Sequence, residues 1–566
     1  MQDKSENRAF IPLLIVISSS LSLLAIPYGL FECHDYLLHL KWASFFSEQL
    51  YSGELYPRWL YADYRGFGSP VFYFYPPLPY YVSALFIALF ARTEVFWLGV
   101  TISGALSLVV ATLAMYWWLR TRFSLRASFF ASLYYLLAPY HFGIDFYTRF
   151  SLAELWSFVW LPLIFISLDK YLKGNRKALL SFSLYVALLT LSHLLIALIT
   201  FPFLLGYVWM LSESNKSRTL FFVVAALTLG VALSAFYWLP AVLSIQEAQS
   251  LGWGRHGYAE NFVFFFGELG NPLRVFRIYI CLISVSTLVL LFVTRYGVSG
   301  KMLEAALPQR EVNMWFAFGI LSFFMSTPLS WPIWSLITPL QSLQFPWRFL
   351  SLTTFASTVL VAHLAQGFQT FTTSLTKILS RITFAVLFAL SISLTLLHLM
   401  ESYRLFSSLD QKAIQEYVFN NLRPHEYLPR AFQTMKPAEV ETWQSALPVK
   451  EKSLLYLPTP ISQTNLIPLD EKHLEQVTIP HFYHPSWRAY GISSKESISL
   501  RSDRYGLITF QRPAEEQTLV LDRTLMPVEK IARLLSAVAL LCLLILYFQC
   551  FLPVSARLSV KKHSVR

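Results

Sequence analysis

Four ionisable residues, Glu32, His34, Asp35 and His39, directly follow the first apolar stretch, in the segment FECHDYLLHLKW at 31–42. If a helix runs through this segment, Asp35 lies three residues after Glu32 and four before His39, so the three side chains share one face. A carboxylate beside a histidine at a partly desolvated boundary can have its pKa adjusted for general-base chemistry. The alternative is a set of solvated polar residues that end a helix. Acidic residues are less common than Trp, Lys or Arg at such a boundary, which favours a functional role.

Aromatic residues dominate the next part of the chain: eleven of the residues from Tyr56 to Tyr81 are aromatic. Aromatic anchors are common at membrane interfaces, and this is the simpler explanation for most of them. The glycines and the run Asp63-Tyr64-Arg65 are more typical of a groove that holds a sugar or a lipid headgroup. We therefore expect Tyr64 and Arg65 to contribute to substrate binding.

Further charged residues lie in the segment IDFYTRFSLAELW at 144–156. Asp145 and Arg149 can form an i,i+4 ion pair, which is the simpler explanation of Asp145. Glu154 enters the following apolar run, and an ionisable group inside a membrane span is costly and usually functional.

Two basic residues in apolar surroundings are candidates for substrate contacts. His193, in LSHLLIAL, lies between two short apolar runs, where a histidine more often hydrogen-bonds a neighbouring helix than acts as a catalyst. Arg348, in QSLQFPWRFL, precedes another run. It can be an interfacial anchor, but its planar fork of donors also suits a phosphate group.

The elements that position these residues follow from composition. The chain has 566 residues, of which 55% are hydrophobic and 14% charged, whereas soluble domains average about 25% charged residues. This indicates a polytopic membrane protein. The net charge of +12 resides in short loops between apolar runs, which is typical of membrane topology and not of nucleic-acid binding.

The spacing of the four cysteines predicts neither a disulfide framework nor a metal site, and the residues before Cys33 predict no lipid anchor. The N-terminal segment reads as an uncleaved first span.

The apolar runs predict twelve spans, at 10–30, 95–118, 127–142, 155–168, 178–193, 194–211, 219–242, 273–294, 313–327, 349–367, 382–399 and 529–552. Six Lys- and Arg-rich segments fall on one side of this arrangement and should be cytoplasmic, together with both termini. They lie at 120–126, 170–177, 216–218, 295–310, 377–381 and 557–562.

The apolar stretch 71–91 is the exception to the count. It contains Pro76, Pro77 and Pro79, which cannot continue a helical hydrogen-bond ladder, and a further span here would place every later basic loop outside. We therefore expect 71–91 to lie at the outer interface, within a first external loop of residues 31–94.

Three regions follow from this topology. Residues 1–400 form a membrane module, 401–527 an extracytoplasmic α/β or β-rich domain, and 528–566 a last span with a basic tail. The later part of the second region alternates in the manner of short strands broken by Gly, Pro and Ser. Shorter external segments are expected at 143–155, 243–272 and 328–348.

Seven motifs follow one another along the chain in an order that resembles a known family. The motifs are HDYLLHLKW, GSPVFYFYPPLPYY, DFYTRFSLAE, SHLL, AFYWLPAV, QFPWRFL and YHPSWRAY…GLITFQRP. This order resembles the GT-C superfamily, integral-membrane glycosyltransferases that use lipid-linked sugars. Within it, the chain is similar to bacterial YfhO-like proteins and to membrane proteins with the 6-pyruvoyl-tetrahydropterin synthase-related domain, a name that implies no pterin chemistry here. One departure is Ser486, where many relatives have glycine.

The resemblance implies a mainly α-helical GT-C-like bundle of about twelve spans. It implies that Asp35 is the general base, that Glu154 is a second catalytic residue in a cluster with Arg149, and that Arg348 faces the donor phosphate. We expect the substrate contacts to come from His34, His39, Tyr64, Arg65, Asp145, Arg149, His193 and Arg348.

The implied function is transfer of a sugar from a polyprenyl-phosphate-linked donor to a glycan, lipid or protein acceptor of the cell envelope. The reaction would occur at the outer face of a bacterial cytoplasmic membrane. No cofactor is expected. A divalent cation is left open, but no clear motif supports one: the chain lacks an extramembrane D-x-D, a Walker loop, G-x-G-x-x-G and H-E-x-x-H. Two alternatives are a transporter or flippase for a lipid-linked glycan and a non-catalytic assembly protein. A transporter would require ionisable residues near the bilayer midplane or paired broken helices, and the sequence shows neither.

Overall fold

A computed structural model describes residues 2–23, 34–90, 95–213, 215–244, 257–265, 274–296, 307–370, 465–469 and 476–551, with the single positions 93, 389 and 393. Several predictions lie outside these residues. They concern Glu32, Cys33, nearly all of the span at 382–399, the first part of the external domain at 401–464 and the basic tail at 557–562. The side chain of Arg65 is likewise outside the described set.

The described residues form seventeen α-helices. They are α1 (Gln2–Leu23), α2 (Tyr36–Tyr51), α3 (Val71–Phe74), α4 (Leu78–Phe90), α5 (Leu98–Leu119), α6 (Leu125–Leu137), α7 (Leu152–Leu172), α8 (Ala178–Ser192), α9 (Leu194–Leu211), α10 (Lys216–Leu233), α11 (Ala235–Leu243), α12 (Arg274–Tyr296), α13 (Gln309–Met325), α14 (Trp331–Leu336), α15 (Thr338–Gln341), α16 (Leu350–Thr370) and α17 (Pro527–Phe551). A π-helix covers Pro139–Thr148, and a 3₁₀ turn covers Pro346–Phe349.

Seven of these helices are long and apolar enough to cross a membrane, and an eighth crossing results if the bent pair Gln309–Met325 and Pro328–Leu336 is counted as one. Helices occupy the predicted spans throughout the described part of the chain. The predicted span 219–242 is divided at Ser234, between α10 and α11. The prediction of a mainly helical membrane protein is confirmed, whereas the count of twelve spans stays a prediction.

A buried ionic network fixes one end of the bundle. Arg122, just after α5, contacts Asp169 Oδ1 at 2.5 Å and Glu311 Oε2 at 2.6 Å. Tyr207 donates a hydrogen bond to Asp169 at 2.5 Å. The ends of α5, α7 and α9 and the start of α13 therefore share one face, which carries loops predicted to be cytoplasmic. The end of α6 and the starts of α7, α9 and α16 consequently lie at the opposite face.

Small residues allow the helices to approach closely, as is common in membrane bundles. At Gly230 in α10, an added Cβ would lie 2.5 Å from the carbonyl oxygen of Ser183 in α8. The Ser183 hydroxyl donates to the carbonyl of Ala226 at 2.7 Å, so a polar contact reinforces the same helix pair.

The first external loop folds back on α2. Lys41 of α2 pairs with Asp63 at 2.5 Å, and both side chains are buried. Asp63 also accepts hydrogen bonds from the Ser69 hydroxyl at 2.6 Å and the Tyr64 amide at 2.9 Å. Helix α4 has 13 residues, fewer than the ~20 that a crossing needs. Its location at the outer interface stays a prediction.

In the described part of the chain seven strands precede α17: β1 (Asn465–Pro468), β2 (Gln476–Phe482), β3 (Trp487–Gly491), β4 (Ser497–Ile498), β5 (Arg501–Ser502), β6 (Leu507–Gln511) and β7 (Thr518–Arg523). They form two antiparallel sheets of order β1-β7-β3-β4 and β2-β6-β5. A small β-rich region before the last helix is thereby confirmed.

The β-rich region shares its core with the first external loop. Trp59, Tyr64 and Phe67 of the loop belong to the same buried cluster as Phe482 and Trp487. The Trp59 and Trp487 rings meet edge to face at 5.4 Å, and the Phe482 amide donates to the Phe67 carbonyl at 2.9 Å. The loop and the two sheets therefore pack as one unit.

Candidate active site

Two segments that are predicted to be external, and that are far apart in sequence, meet through their backbones. The amides of His34 and Asp35 donate to the carbonyls of Thr148 and Arg149 at 3.1 and 3.0 Å. Asp35 is the N-cap residue of α2, but its side chain makes no capping hydrogen bond. An Asp at this position normally accepts from the first-turn amides, so the carboxylate is available for another partner. Its side chain is 38% exposed.

Arg149 lies at the centre of three carboxylates. Its Nη2 atom is 4.0 Å from Asp35 Oδ2, and its Nη1 atom is 3.3 Å from Asp145 Oδ1 and 3.4 Å from Glu154 Oε2. Asp145 and Glu154 are buried, whereas Asp35 is partly exposed. Among these three acids, Asp35 is thus the one that a substrate can reach.

Glu154 joins Arg149 to a second arginine. Its Oε1 atom accepts a hydrogen bond from the Tyr140 hydroxyl at 2.7 Å, and its Oε2 atom lies 3.8 Å from Arg348 Nε. The side chain is 1% exposed. Both oxygens therefore face fixed protein groups, which suits an acid that positions cations.

The two guanidinium groups lie against one aromatic ring. Arg348 is 4.9 Å and Arg149 is 5.4 Å from the centroid of Phe345. Such cation–π contacts hold a guanidinium at a defined place. Arg348 Nη1 also donates to the carbonyl of Leu343, in the short segment before the 3₁₀ turn. Two arginines close together beside an exposed carboxylate form a site that can bind an anion and accept a proton.

The charged groups of this cluster shift one another's pKa values. Burial raises the pKa of Asp145 well above its ordinary value, and the Glu154 carboxylate raises it further against the lowering by Arg149. Burial alone would lower the pKa of Arg149, but the neighbouring acids, Glu154 first, raise it above its ordinary value. Arg149 therefore stays cationic, whereas burial and the Glu154 carboxylate both oppose ionisation of Asp145.

The His39 side chain bonds to Tyr80 and not to Asp35. The His39 amide donates to the Asp35 carbonyl at 2.9 Å, so the two residues keep the i,i+4 relation of a helix. One ring nitrogen, Nδ1, shares a hydrogen bond of 2.6 Å with the Tyr80 hydroxyl, and no side-chain hydrogen bond with Asp35 forms among the described residues. Burial lowers the pKa of His39 to about 4, which makes the ring neutral near pH 7.

His193 and His34 lie at the edge of the cluster. His193 caps α9, and its Nδ1 accepts a hydrogen bond from the Ile196 amide at 3.2 Å. Burial and then the charges of Arg348 and Arg149 lower the pKa of His193 well below its ordinary value. Because Nδ1 accepts a hydrogen bond, the neutral ring carries its proton on Nε2. His34 packs its ring against Phe276 at 4.9 Å.

Tyr64 does not join this site. It is 1% exposed and lies in the core shared by the first loop and the sheets, with its ring 5.9 Å from that of Phe482. The Lys41 ammonium lies over the same ring at 4.6 Å. The aromatic and glycine content that suggested a groove here instead serves the packing of the loop on the β-rich region.

Two residues of the site have no distinctive sequence signal. Tyr140 lies in a π-helix that only partly overlaps a predicted span. Phe345 is three residues before Arg348, and only this adjacency could have indicated it.

The described residues contain no group of three His, Cys, Asp or Glu side chains arranged to hold a metal ion. The three acids nearest to one another, Asp35, Asp145 and Glu154, all face Arg149. The donor set of this cluster therefore fits an arginine-bound anion better than a divalent cation.

Solved structures of two transferases align with part of this chain at low sequence identity. The mycobacterial arabinofuranosyltransferase AftD aligns with a TM-score of 0.46 and 14% identity, over 69% of this chain and 27% of that one. A mutant form of AftD gives 0.46 and 15%, over 68% and 28%. The archaeal oligosaccharyltransferase AglB from Archaeoglobus fulgidus, solved with an inhibitory peptide and a dolichol-phosphate, gives 0.42 and 14%, over 75% and 61%. The chain thus spans only about a quarter of the length of AftD.

A search of the curated proteins found no match to the chain. A family model does match: it describes a membrane protein with the 6-pyruvoyl-tetrahydropterin synthase related domain, and it covers residues 72–405. The match takes in α3 to α16, and with them Asp145, Arg149, Glu154 and Arg348. Because it extends over more than half of the sequence, the chain belongs to the family of membrane proteins with the 6-pyruvoyl-tetrahydropterin synthase related domain.

Proposed function

We propose that this protein is a GT-C-type glycosyltransferase that takes a sugar from a polyprenyl-phosphate-linked donor. The acceptor would be a glycan, lipid or protein of the cell envelope, at the outer face of a bacterial cytoplasmic membrane. The observation that supports this most is the pair Arg149 and Arg348, which share Glu154 beside the partly exposed Asp35.

In the proposed reaction, Asp35 accepts the proton of the acceptor hydroxyl as its oxygen attacks the anomeric carbon. The bond between that carbon and the phosphate oxygen breaks, and its electron pair remains on the phosphate. The products are the new glycoside, polyprenyl phosphate and protonated Asp35. Arg149 and Arg348 face the leaving phosphate and stabilise its developing charge.

Glu154 has a positioning role in this proposal. Its two oxygens face Tyr140 and the two arginines, so it fixes the guanidinium groups and leaves Asp35 to accept the proton. Holding donor and acceptor at one interface supplies the orientation that such a transfer needs. His193 would donate its Nε2 proton to a substrate oxygen.

The charged groups of the site gather at one end of the bundle, where α7 and α9 begin and where the first external loop lies. A flippase would instead require ionisable groups along a path through the membrane. This location supports an enzyme over the transporter alternative.

The proposal is tested by mass spectrometry of polyprenyl-phosphate sugars and envelope glycans in a strain that lacks the chain. A transferase predicts accumulation of one lipid-linked monosaccharide and loss of that sugar from one mature glycan. A flippase predicts accumulation of an otherwise complete lipid-linked glycan. Complementation with the wild type and with Arg501→Gln, an exposed arginine of β5, should restore the glycan, whereas Arg348→Gln should not. Restoration by Arg348→Gln would contradict the proposed phosphate contact.

A further inference from the structure

A second polar cleft, of about 610 Å³, lies where the first external loop, the end of β7 and the start of α17 meet. Its charged lining consists of Glu54, Arg58, Arg523, Glu529 and Arg533, and four tyrosines are among its other lining residues. None of these residues belongs to the candidate active site formed by Asp35, Asp145, Arg149, Glu154 and Arg348, which we call the arginine–carboxylate site.

The cleft carries an excess of positive charge. Arg58 Nε faces Glu529 Oε1 at 3.2 Å, and Arg523 Nη2 faces Glu54 Oε1 at 3.6 Å. The third arginine, Arg533, is exposed on α17, four residues after Glu529. Three arginines against two glutamates give the lining a net charge of +1 when every group is ionised. Burial also raises the pKa of Glu54, despite the opposing effect of Arg523, which reduces its negative charge further.

Two of the arginines keep buried donors without a hydrogen-bond partner. The Arg58 side chain is 1% exposed, and its Nη1 atom has no hydrogen-bond partner among the described residues. The same holds for the Nε and Nη1 atoms of Arg523, whose side chain is 12% exposed. A buried guanidinium with unsatisfied donors is costly. An incoming group with several acceptor oxygens would satisfy these donors.

Aromatic rings hold the two guanidinium groups, and both groups lie near the ring of Tyr73. Arg58 lies 5.4 Å and Arg523 lies 5.8 Å from the centroid of this ring. Arg58 also lies 4.6 Å from Tyr56, and Arg523 lies 5.6 Å from Tyr61. Two fixed planar forks of this kind match the oxygens of a phosphate group.

The cleft lies at the start of a candidate membrane span. Glu529 and Arg533 are in the first turns of α17, a candidate span whose apolar side chains are mostly exposed. Arg58 Nη2 donates to the carbonyl of Phe236 in α11, and the Phe236 amide donates to the Ser536 hydroxyl of α17 at 2.9 Å. A ligand in the cleft can therefore extend an apolar tail along α17.

We propose that this cleft is a second anion site, which binds the phosphate headgroup of a membrane amphiphile through Arg58, Arg523 and Arg533. The site does not depend on the proposed transfer reaction, because binding here uses none of the residues assigned to that chemistry.

Native mass spectrometry of the full chain in detergent micelles tests this site. The probes are dioctanoyl phosphatidic acid, dioctanoyl phosphatidylcholine and inorganic phosphate. We expect wild-type protein to bind phosphatidic acid in preference to phosphatidylcholine. Arg523→Gln should weaken this binding about tenfold, as expected for loss of one charge-assisted contact. Arg533→Gln, an exposed helix position that does not threaten folding, should weaken it several-fold. The charge-matched control Arg501→Gln should bind as the wild type does.

The outcomes separate the sources of the phosphate. If inorganic phosphate displaces phosphatidic acid and binds as tightly, the site takes free phosphate, and the lipid part of the proposal is wrong. If only phosphatidic acid binds, the lipid assignment is supported. Wild-type affinity in both Arg523→Gln and Arg533→Gln would overturn the site. Binding that is lost in Arg348→Gln but kept in those two variants would also overturn it, because the probe would then occupy the arginine–carboxylate site.

Discussion

Replacing Glu154 with glutamine removes one charge from the centre of the arginine–carboxylate site and changes little else in shape. The amide oxygen can still accept the Tyr140 hydrogen bond, but the amide NH₂ then faces the donors of Arg149 and Arg348, which lie 3.4 and 3.8 Å from Oε2. Removal of one partner from a buried ion pair usually costs about 3–5 kcal/mol of unfolding free energy. We expect Glu154→Gln to fall at the lower end, about 3 kcal/mol.

The expected loss of unfolding free energy lies at the lower end of this range because Asp145 can partly compensate for Glu154. The Glu154 carboxylate is one of the causes that raise the pKa of Asp145, after burial. Without it, Asp145 ionises more readily and partly replaces the missing negative charge beside Arg149. Asp145→Asn alone should therefore cost only about 1 kcal/mol, the value of an ordinary hydrogen bond. The double variant should cost more than the sum of the two by about 1–2 kcal/mol, since neither acid then remains.

The assay is reversible unfolding in mixed micelles, with Glu260→Gln as a control because Glu260 is exposed. The control should stay within about 0.5 kcal/mol of the wild type. If Asp145→Asn proves more costly than Glu154→Gln, or if the two single effects add, the proposed compensation of Glu154 by Asp145 is wrong.

Two further predictions concern the packing of the first loop on the β-rich region. Gly68→Ala should lower the thermal unfolding temperature much more than Gly66→Ala does. Both glycines have positive φ, so both variants strain the backbone. Only at Gly68 would the new Cβ also meet a side chain, because Trp59 Nε1 would lie 2.2 Å away. Equal shifts in the two variants would contradict this. Burial lowers the pKa of His484 to about 3 in the folded protein. The unfolded chain therefore binds a proton on this histidine more tightly than the folded protein does. The free energy of unfolding should fall as the pH drops from 6.5 towards 3, by up to about 1.4 kcal/mol per pH unit. His484→Gln should flatten that slope when unfolding is followed across pH, and an unchanged slope would exclude His484 as its source.

The sequence predicts which segments meet, because topology fixes the side of the membrane on which each lies. Counting the basic loops places Asp35, Arg149 and Arg348 on one face, and the structure brings these three residues around Glu154. The helices also lie where the apolar runs predict them, since a run of about 20 apolar residues has few alternatives in a bilayer.

The partners within the site are less predictable. His39 bonds to Tyr80, a residue 41 positions away, and helical spacing carries no information about such a contact. Tyr64 lies with Phe482 of β2 because the first loop docks on a region more than 400 residues later. The Tyr140–Glu154 contact depends on a π-helix that follows the early end of α6. All three depend on tertiary packing that local patterns do not encode.

The most direct measurement is the rate of sugar transfer by purified Asp35→Asn protein in proteoliposomes, with the lipid-linked donor that accumulates in the deletion strain. If Asp35 is the general base, the rate should fall by about 10²-fold or more, while donor binding stays within a few-fold of the wild type. Glu260→Gln, at an exposed position outside the site, serves as the control and should keep the wild-type activity. Transfer at the wild-type rate by Asp35→Asn would contradict the assignment of Asp35 as the base.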